Sequence, residues 1–281
     1  MYSMADHKRK KINLLQRLLP EGAIVEARWL EAKGYPRNLR KHYLESGWLE
    51  SPGRGLVSRP GPPLAWQNVV FSLQTVMNYD VLVGGRTSLD LQGYEHYLRP
   101  DEAAVVHLYS DGTLPNWLDK LELRTRFVPH KTTRLFAEGA LSTELSGLCE
   151  ESDEPRASSL SVTSHVWGPP HQPILLSSLE RAILELLDEL PEHESFHHVD
   201  VTFESLTNLR PARLQKLLEA CHSVKVKRLF FWFAHRHRHA WLNRLDEKLV
   251  NLGSGKRALV PGGKLDRRYL ITVPEAMHGD Q

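Results

Sequence analysis

Arg37, Asn38, Arg40 and Lys41 stand within five positions of one another, directly after Gly34-Tyr35-Pro36. Long donors concentrated at the start of a helix can hydrogen-bond base edges in a major groove and pair with the flanking phosphates. Arg54, in the turn Pro52-Gly53-Arg54-Gly55, adds a cation able to reach a minor groove or the backbone beside it. A second segment, Gly84-Gly85-Arg86-Thr87-Ser88, could cradle a phosphate, because a Gly-Gly turn that opens a helix points backbone N–H groups at an anion. Nucleotidyl transfer begins its site in this way, but it also needs paired carboxylates on a following strand to hold Mg²⁺. The next apolar run, Val105-Val106-His107-Leu108-Tyr109, contains no Asp-x-Asp, and Asp111 stands alone. A tight structural turn is the expectation, with nucleotidyl transfer at Gly84-Gly85 as the enzyme-class alternative.

The remaining polar motifs suggest no catalytic residue. Gly253-Ser254-Gly255-Lys256-Arg257 and Gly262-Gly263-Lys264 lack phosphate-loop spacing, and Arg257 and Leu265 stand where that loop needs Ser or Thr. Lys256, Arg257 and Lys264 are expected instead to form a secondary basic surface for nucleic acid or a partner. His235, His237 and His239 alternate, so an extended segment would put all three on one face, as a transition metal requires. Arg236 and Arg238 between them make that face inhospitable to a cation, so neither a metal nor a cofactor is expected. His197-His198 has less context still, and Gly-x-Ser-x-Gly is absent.

The elements that must position the basic cluster follow from periodicity and punctuation. Ile12, Leu15 and Leu19 repeat at helical spacing over 10–19, and Pro20 with Gly22 ends that helix. Residues 26–33 form a short second helix with Trp29 and Leu30 inward and Gly34 at C′. Pro36 opens a third helix, where its missing N–H costs nothing. Two helices so closely joined must cross, as in a helix-turn-helix. At about 100° per residue, Leu39 and Tyr43 fall on one side of the third helix. Arg37 and Lys41 fall opposite, with Asn38 and Glu45 beside them, Arg40 on a flank, and Leu44 assigned to packing. Two extended segments, 48–51 and 56–59, around the Gly-rich turn then read as a hairpin, or wing.

Arg59-Pro60-Gly61-Pro62-Pro63 is a stiff linker, which divides the chain into 1–62 and 63–281. Beyond it, 66–78 reads as an amphipathic helix, 105–109, 121–128 and 133–136 as strands, and 150–159 (EESDEPRASS) as an exposed loop or linker. Ser177 with Glu180 suggests a capping box before Leu179, Ile183, Leu186, Leu187 and Leu190. Residues 211–221 read as a helix, 229–233 as a buried strand, 239–249 as a helix and 269–273 as a last strand. Mixed order of this kind argues an α+β or mixed α/β fold.

Bulk properties agree. The 281 residues exceed the usual single-domain size, and 41% hydrophobic with 25% charged residues is ordinary for a globular protein. No run approaches a membrane span, and the charged N-terminus lacks a signal peptide's apolar stretch. Two cysteines, Cys149 and Cys221, are too few for a disulfide framework and suit a reducing cytoplasm. Residues 1–60 hold twelve Lys/Arg against six Asp/Glu, while the rest of the chain is net acidic by four. Such asymmetry fits a first domain that alone meets a polyanion. A winged helix that contacts only protein is the third reading.

Three stretches together resemble the AbiEi family, the antitoxins of type IV toxin–antitoxin systems. They are Trp29-Leu30-Glu31-Ala32-Lys33-Gly34-Tyr35-Pro36 through Trp48-Leu49, then Gly84-Gly85-x-Thr87-x-Leu89-x-Leu91-x-Gly93-Tyr94, and Leu252-Gly253-Ser254-Gly255-Lys256-Arg257 to Pro261-Gly262-Gly263. The resemblance implies a winged-helix domain that binds inverted repeats in its own operon's promoter double-stranded DNA and represses transcription. It also implies a C-terminal antitoxin domain that opposes a nucleotidyltransferase-class toxin without necessarily forming a stable complex. The family's basic DNA contacts map by position onto Arg37, Arg40, Lys41 and Arg54. A cytoplasmic monomer or homodimer with no membrane contact is expected.

Overall fold

The computed structural model describes residues 4–94, 104–149, 161–168 and 172–277, and the expected linker at 150–159 lies outside them. The chain opens with α1 (Met4–Leu18), β1 (Ile24–Glu26), α2 (Ala27–Ala32), α3 (Arg37–Glu45) and β2 (Leu56–Ser58). β1 and β2 pair antiparallel, with Ile24 opposite Ser58 and Glu26 opposite Leu56. Ser58 also exchanges backbone bonds with Glu50 on its other side, so the expected hairpin closes through a single rung. β1 is too short, at three residues, to leave a periodic signature in the sequence.

The helix α4 (Trp66–Phe71) follows and continues as a wider turn over Ser72–Val76. Then come β3 (Val81–Val83), α5 (Gly85–Leu89), β4 (Ala104–Ser110), β5 (Thr125–Lys131), α6 (Ala140–Cys149), β6 (Val162–Trp167) and β7 (Gln172–Ser177). Five strands form one mixed sheet in the order β5-β4-β3-β7-β6, parallel at β4–β5 and β3–β7 and antiparallel at β3–β4 and β6–β7. Alternation along the strands separates its faces. Val81, Val83, Val106, Leu108, Ile174 and Leu176 join the apolar cluster that contains Leu15, Leu30, Tyr43 and Val57, whereas Leu82 packs with Leu141 and Leu145. The fold is thus α+β, and one continuous core runs from the N-terminal helices into the sheet.

Four helices complete the chain: α7 (Leu179–Asp188), α8 (Phe196–Ser205), α9 (Pro211–Ala220) and α10 (Val224–His237), followed by the hairpin β8 (Lys264–Asp266) and β9 (Ile271–Val273). The run Leu229–Phe233, expected as a strand, lies inside α10 with every side chain fully buried. A helix surrounded on all sides is apolar all round, and period alone cannot separate it from a buried strand. The cap of α7 is Ser178 rather than Ser177, accepting from Arg181 N–H, while Ser177 ends β7. The expected helix over 239–249 is two short 3₁₀ turns, because Gln215 grips both the N–H and the carbonyl of Asp246 and breaks the run there. Residues 132–134 likewise form a 3₁₀ turn in place of a strand, and β5 starts only at Thr125.

Candidate nucleic-acid interface

Pro36 serves as the N-cap of α3, and the turn before it is closed by Tyr35 N–H to Leu30 carbonyl and Gly34 N–H to Glu31 carbonyl. Tyr35 is buried against Tyr43 and donates its hydroxyl to Lys11 carbonyl at 2.9 Å, which ties the turn to α1. Arg40 locks the crossing of α2 and α3. Its guanidinium donates to Tyr35 carbonyl at 2.6 Å and to Glu31 carboxylate at 3.1 Å, and the residue is only 9% exposed. The flank position read from the helical wheel therefore turns inward, and Arg40 positions the helix from beneath.

The outer face of α3 carries Arg37, Asn38 and Lys41, all exposed, with Lys41 paired loosely to Glu45 at 3.7 Å. Its first turn contains no acidic residue, and its leading N–H groups point in the direction an anion favours. Leu44, assigned to packing from its spacing, is instead 37% exposed on this same face, and Trp48 is 43% exposed just beyond it. Neither carries a charge, so a pattern of cations in the sequence does not mark them. Arg54 is exposed on the loop between Glu50 and β2, which Ser51 braces by hydrogen-bonding Gly53 and Leu56 carbonyls. Gly55 carbonyl in turn accepts from Ala27 N–H, joining this loop to the start of α2.

This unit is clamped to the rest of the molecule. Trp117 indole N–H donates to Glu26 Oε1 at 2.9 Å, at the head of α2, and Ile24 N–H donates to Ser72 Oγ at 2.8 Å. Gln172 reaches Glu21 carbonyl from the sheet.

The other motifs resolve differently. At Gly84-Gly85 the anion position is already filled: Gly85 N–H donates to Glu185 Oε2 at 2.8 Å, and a Cβ at Gly84 would collide with that carboxylate and with the Tyr109 ring. Glu185 is completely buried and ion-paired to Arg181, so a carboxylate of the chain itself sits where a phosphate would need to sit. The three alternating histidines do not converge, because α10 and its exit replace the extended segment. His235 faces Glu247, His237 faces Asp200 at 2.8 Å, and His239 meets Phe203 carbonyl. Lys256, Arg257 and Lys264 are all exposed around β8 and β9, and Cys221 is a buried free thiol.

A buried relay with no signature in the sequence crosses β4 and β5. His107 Nδ1 lies 2.9 Å from His130 Nε2, and His130 Nδ1 lies 3.2 Å from Glu189. Burial, then repulsion by His130, push His107 down to about 4. Burial raises Glu189, but the hydrogen bond and charge of His130 outweigh it and hold the carboxyl below its ordinary range.

Family models match nearly the whole chain. Residues 8–100 match the N-terminal domain of the transcriptional regulator, AbiEi antitoxin, and residues 103–274 match the transcriptional regulator, AbiEi antitoxin of type IV toxin–antitoxin systems. The chain belongs to the AbiEi antitoxin family. It is a transcriptional regulator and antitoxin of a type IV system, and the family is not one of enzymes. Among solved structures, the Rv2827c protein of Mycobacterium tuberculosis has a similar fold, with a TM-score of 0.51 at 13% identity over 92% of this chain and 88% of that one. No curated protein matches the chain. Among the described residues, no helix is long and apolar enough to cross a membrane.

Proposed function

We propose that this AbiEi antitoxin binds inverted repeats in its own promoter through a winged helix-turn-helix in residues 1–62, and so represses its own operon. In this reading α3 enters the major groove, Arg37, Asn38 and Lys41 contact bases and phosphates, and Arg54 reaches the flanking backbone. Arg40, grouped with these contacts by sequence, holds the angle between α2 and α3. The observation that carries the reading is the exposed cationic face of α3 on a turn fixed from below by Arg40, Tyr35 and Glu31.

Inverted repeats place two copies of the chain on one operator, whether they meet beforehand or only on the DNA. Residues 63–281 would then carry antitoxicity and oppose a nucleotidyltransferase-class toxin without a lasting complex, as the family resemblance implies. The test is binding of Arg37→Ala and Lys41→Ala variants to the upstream duplex. Removing a side chain that reads a base costs about 1–3 kcal/mol, and removing one that pairs with a phosphate lowers the salt slope by about one. Binding unchanged in both variants would refute the assignment of α3.

A further inference from the structure

The segment Leu252-Gly253-Ser254-Gly255-Lys256-Arg257 is built around a buried cation. Arg228, on α10, is 2% exposed, and its guanidinium donates to Leu252 carbonyl at 2.7 Å, Gly255 carbonyl at 2.7 Å and Leu270 carbonyl at 3.4 Å. Among the described residues no carboxylate pairs with it; burial and then the charge of nearby Arg257 both act to lower its pKa. A buried cation matched only by carbonyl dipoles leaves local positive potential that favours an anion.

The loop presents that potential outward. Gly253 and Gly255 hold φ of 63° and 77°, and a Cβ at Gly253 would press on Val224 at 2.9 Å, so the path of the loop needs glycine there. With Leu252 and Gly255 carbonyls drawn in toward Arg228, the N–H groups of Ser254, Gly255 and Lys256 donate to no acceptor among the described residues. Successive unpaired amides of this kind bind anions. The contrast with Gly84-Gly85, whose N–H is taken by Glu185, is direct.

Around the loop stand more exposed cations. Arg257 bridges Ile271 on one side of β9, and Lys264 pairs with Val273 on the other, with Lys256 and Arg267 nearby in sequence. Carboxylates of this region are committed elsewhere: Asp266 accepts from Tyr269 N–H, and Glu247 holds Arg268 at 2.9 Å. Cations spread across three adjacent strand segments suit several phosphates in a row rather than one.

We infer that the 252–257 loop and the β8–β9 edge form a second nucleic-acid contact, which grips the phosphodiester backbone without reading bases. The test uses full-length protein carrying Arg37→Ala and Lys41→Ala, so that loss at α3 and loss at the loop are read separately. Anisotropy is followed with a labelled duplex of scrambled sequence and with a single-stranded RNA of equal length, across a salt series. Residual salt-dependent binding to either probe is expected. Adding Lys256→Ala and Arg257→Ala should weaken it at least tenfold and make the slope of log K against log salt shallower by about two, with the melting temperature unchanged. A preference for one probe identifies the strand type. The absence of residual binding, or binding that ignores the two loop cations, overturns the inference.

Discussion

Replacing Arg40 by Ala would remove two hydrogen bonds and leave Tyr35 carbonyl without its donor inside the α2–α3 turn. Losing a buried bond to a charged group costs about 1.5–3 kcal/mol, so Arg40→Ala should lower the melting temperature measurably. Lys41→Ala, on the exposed face, should leave melting unchanged and weaken DNA binding. Equal melting of the two variants would contradict the division of labour. The sequence shows both residues as helix-face cations, because the partners that separate them, Glu31 and Tyr35 carbonyl, are reached only once α2 and α3 cross. His107 carries a pH consequence. Its folded pKa of about 4 lies below the ordinary 6.5, so between those values the unfolded chain binds more protons. Stability is therefore full above about pH 6.5 and falls as pH drops toward 4, by about 1.4 kcal/mol for each pH unit in that interval. Glu189, also held low, adds to the loss in the same direction near the acid end. Urea unfolding at pH 7 and pH 5 should show the decline, and His107→Phe should flatten it. Equal pH slopes in the two proteins would refute the role.

Among elements, the Gly84-Gly85 turn joins β3 to α5 by close packing rather than by ligand binding. Gly84→Ala would drive a methyl group into Glu185 and Tyr109, both buried. Overpacking of this kind costs about 1–3 kcal/mol; with backbone and a buried ion pair involved, we expect the upper end, read as a lower urea midpoint. A midpoint equal to wild type would mean the turn has room to give. α1, α2 and α3 are legible in the sequence because Pro and Gly punctuate them and one apolar stripe marks each. α10 is not, since Leu-Phe-Phe-Trp-Phe is apolar on every side and reads equally as a strand. β6, β7 and α8 are also hidden, the strands because they flank a polar stretch and α8 because its paired histidines interrupt the stripe of Phe196, Val199 and Phe203. Of the interface, the cations are visible in sequence, while Leu44 and Trp48 on the same face emerge only from the packing.

At the scale of the whole molecule, the basic residues concentrate in the first sixty positions and the acidic excess lies behind them, yet one core and the Trp117–Glu26 bond join the two parts. Trp117→Phe keeps the ring in that core and removes only its donor. Limited proteolysis should then cut the N-terminal region faster, with binding to DNA retained; an unchanged cleavage rate would show that apolar packing alone holds the two together. The measurement that bears most directly on the central claim is anisotropy of the purified protein with its own upstream duplex and with a scrambled duplex, across a salt series. An autorepressor binds the upstream duplex more tightly at every salt concentration, with affinity falling steeply as salt rises. Equal affinity for the two duplexes, or no binding to either, would contradict it.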